Sequence, residues 1–178
     1  DVSAEDLLSY RAAVKSLPER ELLCGFVSGR VELEHWNPGE LFQFYHDTRP
    51  LAGDLEFLRP MAGQEAAALA VRDGACALYH GCAHNLLHGR SREALGELYK
   101  AAGFTLRAKY FVETKTYLAR QSDLLSGLRG EDHDLLMEGI ALRSCPNLDD
   151  REFDRLSGKL VEWAGALLAT CVSKKFPV

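Results

Sequence analysis

The sequence predicts an α+β fold that is mostly helical, in which a small α/β piece with a partial mixed sheet (residues 1–62) precedes a helical bundle (residues 63–178). Two short runs near the start, one aliphatic and one aromatic, are typical of strands. From Gln64 onward, apolar residues recur at helical spacing. The chain has 178 residues, 47% of them hydrophobic and 26% charged, which suits a domain with a sizeable core.

The first element predicted is a helix over residues 3–16. Ser3 is a good N-cap residue, and Asp6 stands where the reciprocal partner of a capping box is expected. Leu22–Ser28 then forms a short apolar run between turn signals, which is typical of a buried strand.

Glu40–Asp47 is the second predicted strand, because aromatic residues favour strands. A helix with Pro38 at its first position is the alternative. Two strands alone cannot protect their edges or form a stable sheet, so the α/β piece is predicted to belong to a larger sheet.

The remainder is predicted to be helical. Gly74 and Gly81 weaken the first long helix, so a bend or break near Gly74 is expected. The predicted helices are Gln64–His88, Ser91–Ala119, Asp123–Leu128, Glu131–Arg143 and Arg151–Val172.

Charge and composition exclude several classes of protein. The net charge of −5 and pI of about 5.7 give no strong signal for nucleic-acid binding. No apolar run approaches the roughly 18 residues of a membrane span, so no membrane association is expected. Five scattered cysteines, without a Cys-x-x-Cys pair, indicate reduced thiols in a cytoplasmic protein.

Three histidines are spaced four residues apart, at His80, His84 and His88. Helical histidine pairs with this spacing can hold a metal ion, which makes His80 and His84 candidate ligands. Successive members drift by about 40° around a helix, so one ion cannot reach all three. Ordinary helix surface is the alternative interpretation.

Two cations lie seven residues apart at Lys100 and Arg107, with Gly96 and Gly103 interleaved on the same helical stripe. Glycine beside each cation either admits a neighbouring helix or leaves a groove with cations in its wall. A polyphosphate would fit such a groove electrostatically. Helix packing with the cations paired to carboxylates is the alternative.

Asp47 ends the aromatic run. A carboxylate at a strand end is well placed to bind Mg²⁺ or to accept a proton. It is equally suited to capping the turn that follows.

Four segments together resemble a family of bacterial predicted nucleotidyltransferases in the DNA polymerase β-like superfamily: CGFVSGRVEL, LFQFYHDTRPLAGDLEFL, ACALYHGCAHNLLHG and LYKAAGFTLRAKYFVETKTYL. The resemblance implies a nucleotidyltransferase sheet followed by a helical domain. It implies transfer of a nucleoside monophosphate from an NTP to an unknown acceptor, with Mg²⁺ held by strand carboxylates. It also implies Asp47 as general base and Lys100 and Arg107 as contacts to the triphosphate or acceptor.

The sequence departs from this family at its main metal-binding motif. No Gly-Ser motif followed by Asp-x-Asp occurs in the 178 residues. Either the catalytic strands precede Asp1 in a longer protein, or the chain is a degenerate member. The alternative function is a non-catalytic helical binding module, for example one half of a toxin–antitoxin-like pair. A homodimer through helices with glycine stripes is also expected, since Gly158 and Gly165 repeat the seven-residue spacing.

Overall fold

The structure, a computed structural model, describes residues 1–23, 26–144 and 148–173, with side chains described up to residue 170. The chain divides into two compact units, Asp1–Asn37 and Pro38–Val178. The sequence predicts a different boundary, between residues 62 and 63, and that boundary stays a prediction.

The first unit contains helices α1 (Ala4–Lys15) and α2 (Arg30–Glu34), with a 3₁₀ turn at Arg20–Leu22 between them. The predicted capping box is confirmed: Ser3 accepts a hydrogen bond from the Asp6 backbone N–H at 3.1 Å, and Asp6 accepts one from the Ser3 backbone at 2.9 Å. Sequence-local polar contacts therefore define the start of α1, which buries none of its residues.

The second unit is built from six further helices in its described residues, and it contains the hydrophobic core. A 3₁₀ turn at Glu56–Met61 follows the first of them, and a π-helical turn at Asn85–Gly89 follows the second. The helices are α3 (Pro38–Asp47), α4 (Gln64–His84), α5 (Arg92–Thr114), α6 (Gln121–Gly127), α7 (Gly130–Arg143) and α8 (Asp150–Ser173).

The predicted sheet is wrong. No strand occurs in the described parts of the chain, which form an all-helical fold rather than an α+β fold with a partial nucleotidyltransferase sheet. Of the first predicted strand, Leu22 ends a 3₁₀ turn, residues 26–28 lack regular structure, and Cys24 and Gly25 lie outside the described residues. The second predicted strand, Glu40–Asp47, is part of α3.

Burial explains why Glu40–Asp47 is helical. Leu41 and Phe42 are adjacent, yet both are almost fully buried. A strand would point them to opposite faces, whereas neighbours on a helix can both contact one core. The Phe42 ring packs against Phe111 at a centroid distance of 5.0 Å, and Pro38 occupies the first helical position.

Helices α5 and α8 are confirmed in type and largely in buried face. The predicted helix to Ala119 ends at Thr114, and Tyr110 and Tyr117, also predicted on the buried side, are only partly buried. Ser91 caps α5 by accepting a hydrogen bond from the Ala94 N–H at 3.1 Å. At the start of α8, the Asp149 side chain accepts a hydrogen bond from the Glu152 N–H at 2.8 Å. Helical spacing thus identifies the core side of both helices. The buried residues predicted from it are Leu95, Tyr99, Ala102, Leu106, Phe153, Leu156, Leu160, Trp163 and Leu167.

Helix α4 is continuous through Gly74. Of the predicted bend or break near Gly74, the break is therefore wrong and the bend stays a prediction. A β-carbon built on Gly74 would lie 2.4 Å from the Thr105 Oγ1 atom of α5. Glycine is therefore present to let the two helices approach closely, and its lower helix propensity is offset by that packing.

Asn85 organises the connection between α4 and α5. Its side-chain amide forms two hydrogen bonds of 2.9 Å with the Ser91 backbone, donating one and accepting the other. Its backbone carbonyl accepts a hydrogen bond from the Arg90 N–H at 2.7 Å. Gly89 is needed beside it, because a β-carbon there would lie 2.8 Å from the Asn85 Oδ1 atom. The turn thus satisfies a buried amide and ends α4.

None of the described helices combines the length and the apolar character that crossing a membrane requires.

Candidate functional site

A cavity of about 250 Å³ lies between α5, α6 and α7. It combines cationic side chains with an apolar floor and one neutral amide. Its lining residues are Tyr99, Lys100, Gly103, Phe104, Arg107, Gln121, Leu136, Gly139 and Arg143.

Among the described residues, the lining contains three cationic side chains and no carboxylate. Lys100 pairs with Glu97 on the helix surface at 3.1 Å, an exposed pair that is worth little. Arg107 and Arg143 form no ion pair with any carboxylate of the described residues. Arg107 and Arg143 therefore give the lining a positive charge that no carboxylate of the described residues neutralises.

Arg107 is a partly buried cation that lies beside an aromatic ring. Its guanidinium carbon lies 5.2 Å from the centroid of the Phe104 ring, a cation–π distance. Its Nε atom is buried and lacks a hydrogen-bond partner among the described residues. Burying a charged donor without an acceptor is unfavourable, so Arg107 carries a positive charge that the described residues only partly compensate.

Glycine lets α5 and α7 close the floor of the cavity. A β-carbon on Gly139 would lie 3.3 Å from the Tyr99 Cδ1 atom, a tight contact. Tyr99 is 3% exposed, and its hydroxyl donates to the Leu156 carbonyl of α8 at 3.1 Å. The floor is thus apolar and closely packed, and the polar part of the cavity is its cationic rim, formed by Lys100, Arg107 and Arg143.

The structure brings together Lys100, Gly103 and Arg107, as their shared helical stripe predicted. Gly96 belongs to the same stripe but does not line the cavity, and a β-carbon on it would meet nothing within 4 Å. Sequence reasoning missed Arg143, whose only signal was its position in the last turn of α7.

Asp47, the predicted catalytic base, lies at the end of α3 and outside the cavity lining. Its Oδ1 atom accepts a hydrogen bond from the Tyr117 hydroxyl at 2.6 Å. Burial raises the pKa of Tyr117, and the hydrogen bond to Asp47 raises it further. Arg107 acts on the same hydroxyl in the opposite direction, so the cavity and the Asp47–Tyr117 pair are within electrostatic range of each other.

The described residues do not fit a magnesium site. Mg²⁺ prefers several oxygen ligands, usually including carboxylates. No group of three or more His, Cys, Asp or Glu residues that could hold a metal ion occurs in the described chain. Asp47, the carboxylate that the predicted mechanism assigns to Mg²⁺, is instead paired with Tyr117.

His80 and His84 lie on the exposed face of α4, with ring centroids 6.5 Å apart. His88 follows in the π-helical turn, and its ring centroid lies 5.3 Å from that of His84. The structure thus places the histidines in one row, but among the described residues it supplies no third ligand that would complete a metal site. Their predicted role as ligands stays a prediction.

The glycines of α8 do not form a common packing stripe in this structure. Gly165 faces Tyr79 of α4, since a β-carbon on it would lie 3.6 Å from the ring. A β-carbon on Gly158 would have nothing within 4 Å. The homodimer expected from their spacing stays a prediction.

The surroundings of His46 predict how the stability of the protein depends on pH. Its ring stacks on Tyr117 at 4.5 Å, and its Nε2 atom lies 3.3 Å from the Ala62 carbonyl. Burial lowers the pKa of His46 from 6.5, so below that pH the unfolded chain binds more protons than the folded one.

We expect the free energy of unfolding to fall as pH decreases from 6.5, and to fall less in a His46→Phe variant. Urea unfolding at pH 7.5 and 5.0 measures this, and equal losses in both proteins would contradict it.

Comparisons with known proteins found no family. No protein-family model matches the chain. No curated protein and no solved structure matches it significantly either. The resemblance to nucleotidyltransferases therefore stays a prediction, and the chemistry of the α5–α6–α7 cavity is the basis on which a function can be argued.

Proposed function

We propose that the second unit binds a phosphate-bearing anion in the cavity between α5, α6 and α7. The observation that carries the proposal is the lining, which has three cationic side chains and no carboxylate. One of those cations, Arg107, has a buried and unpartnered Nε atom. A bound anion would supply the countercharge that the described residues lack.

The spacing of the cations favours phosphate over a simple carboxylate. Lys100 and Arg107 are seven residues apart on α5, which is about 10.5 Å along a helix axis. A single carboxylate does not extend over that distance, whereas two or three linked phosphates approach it when long side chains lean inward. Arginine also recognises phosphate through paired hydrogen bonds, which adds directionality.

The size of the cavity limits the ligand. Pockets for drug-sized ligands usually have volumes of about 300–1,000 Å³. At about 250 Å³ the cavity lies just below that range. A compact inorganic phosphate, or the phosphate end of a larger molecule, is therefore the ligand that fits.

Arg107→Ala is expected to weaken pyrophosphate binding at least about tenfold, because hydrogen bonds to charged groups contribute about 1.5–3 kcal/mol. Isothermal titration of the protein with sodium pyrophosphate in EDTA measures the affinity. Raising the NaCl concentration should weaken binding in the wild-type protein, since the interaction is between charges.

Arg59→Ala is the matched control. Arg59 is an exposed arginine, 74% accessible in its side chain, and it lies outside the cavity. This variant should bind pyrophosphate like the wild type. The proposal fails if the wild type does not bind pyrophosphate, or if both variants lose affinity equally.

Nucleotidyl transfer remains a second candidate, supported by the sequence resemblance and by the position of Lys100 and Arg107 in one cavity. It requires a Gly-Ser motif followed by an Asp-x-Asp pair, an arrangement that the 178 residues do not contain. In that case the cavity would contact the triphosphate or the acceptor. Incubating the protein with each labelled NTP, Mg²⁺ and candidate acceptors tests this function, and binding of phosphate without turnover would favour the binding module.

A further inference from the structure

We propose that this cavity selects phosphate anions that are free of Mg²⁺, so that Mg²⁺ competes with the protein for the ligand instead of bridging them. The inference rests on the proposed function. It differs from the magnesium-dependent chemistry that the resemblance implies, and it follows from the charges that line the cavity.

A Mg²⁺–phosphate complex binds protein sites chiefly through carboxylates that share the metal ion. The cavity offers none: its polar lining side chains are Lys100, Arg107, Arg143, Gln121 and the hydroxyl of Tyr99. The Tyr99 hydroxyl is already directed to the Leu156 carbonyl. A metal ion carried into this cavity would find no anionic side chain in its lining.

The same lining repels a metal ion. Mg²⁺ bound to a phosphate cancels two of its negative charges and places a divalent cation among the three protein cations. Like charges at such short range are strongly unfavourable at the effective dielectric constant of about 20 that suits partly buried sites. The free anion retains its full charge and gains every favourable interaction with the rim.

Two carboxylates of the second unit, Asp47 and Glu97, are engaged outside the cavity lining. The Asp47 carboxylate accepts the Tyr117 hydroxyl at 2.6 Å and does not line the cavity. Exposed Glu97 pairs with Lys100 on the outer surface of α5 and does not line the cavity either. Neither carboxylate converts the rim into a metal site.

The test compares tripolyphosphate with orthophosphate. Tripolyphosphate chelates Mg²⁺ strongly and orthophosphate weakly, so orthophosphate controls for effects of Mg²⁺ on the protein itself. Isothermal titration is carried out in EDTA and in 10 mM free Mg²⁺, with ionic strength held constant by NaCl. We expect Mg²⁺ to weaken tripolyphosphate binding at least about tenfold, since the loss of one such charge–charge interaction already exceeds that factor. Orthophosphate affinity should change by less than about twofold.

An Arg143→Gln variant supplies a second readout that does not depend on the absolute affinity. Under this competition, chelation of Mg²⁺ by tripolyphosphate in solution sets the ratio of apparent affinities without and with Mg²⁺. Removing one rim cation should therefore weaken tripolyphosphate binding in both buffers and leave that ratio nearly unchanged. The inference is overturned if Mg²⁺ leaves tripolyphosphate binding unchanged or strengthens it, or if orthophosphate is weakened equally. Absence of binding by every phosphate, in both buffers, overturns the proposed function together with it.

Discussion

Asp132→Ala is expected to lower the free energy of unfolding by about 3 kcal/mol. The Asp132 carboxylate of α7 accepts the indole N–H of Trp163 in α8 at 2.8 Å, and its other oxygen pairs with Lys109 of α5. One side chain thus joins three helices. Trp163 is 3% exposed, so its N–H would lose its acceptor in a largely buried position. Lys109 is 27% exposed and can turn toward solvent, which limits the loss.

Urea unfolding followed by circular dichroism measures this effect. Asp134→Ala is the matched control, because Asp134 lies on the same helix with a side chain that is 65% accessible. That variant should change stability by no more than about 0.5 kcal/mol. Asp132→Asn retains an acceptor for Trp163 and should lose less than Asp132→Ala. Equal effects of Asp132→Ala and Asp134→Ala would show that the carboxylate does not connect the helices as described.

Gly74→Ala is expected to destabilise the protein by about 2 kcal/mol, although alanine is the better helix former. The new β-carbon would lie 2.4 Å from the Thr105 Oγ1 atom and 3.2 Å from its Cγ2 atom. Thr105 is 4% exposed and its hydroxyl donates to the Ala101 carbonyl at 3.3 Å, so its side chain has little freedom to turn away. Either α4 and α5 separate, or Thr105 adopts a strained rotamer.

A double-mutant cycle identifies the cause. In a Thr105→Ala background, Gly74→Ala should cost less than in the wild type, because the two closest atoms are gone. Gly158→Ala is the control within α8, where a β-carbon would meet nothing within 4 Å. That substitution should be neutral or stabilise the protein by up to about 1 kcal/mol. If Gly74→Ala changed the stability no more than Gly158→Ala does, this would contradict the close approach of α4 and α5 at Gly74.

Long helices were predictable from the sequence, and short segments were not. In α5 and α8, apolar residues repeat over many turns, so helical spacing identified both the helices and their buried faces. Glu40–Asp47 is too short for spacing to decide, and its aromatic residues carried the strand prediction. Contacts of Phe42 with Phe111 and Tyr117 favour the helix, and these contacts join distant parts of the chain.

The candidate site was predictable only along a single helix. Lys100, Gly103 and Arg107 share a stripe of α5, so geometry within one helix was enough to group them. Arg143 and Gln121 come from α7 and α6, and their approach to α5 depends on tertiary packing. Asp47 was assigned a role through a strand that does not exist, which is why its partner Tyr117 was not foreseen.

The hydrogen bonds of Asn85 have a consequence for how the chain is assembled. Because the polar groups of the α4–α5 corner satisfy one another within seven residues, from Asn85 to Ser91, closing this corner restricts only a short length of backbone. Helices joined in this way make contacts between residues that are close in the sequence, and such contacts form quickly during folding. The close approach of Gly74 to Thr105 is one such contact between the two helices, whereas α8 joins the core only through residues far away in the sequence.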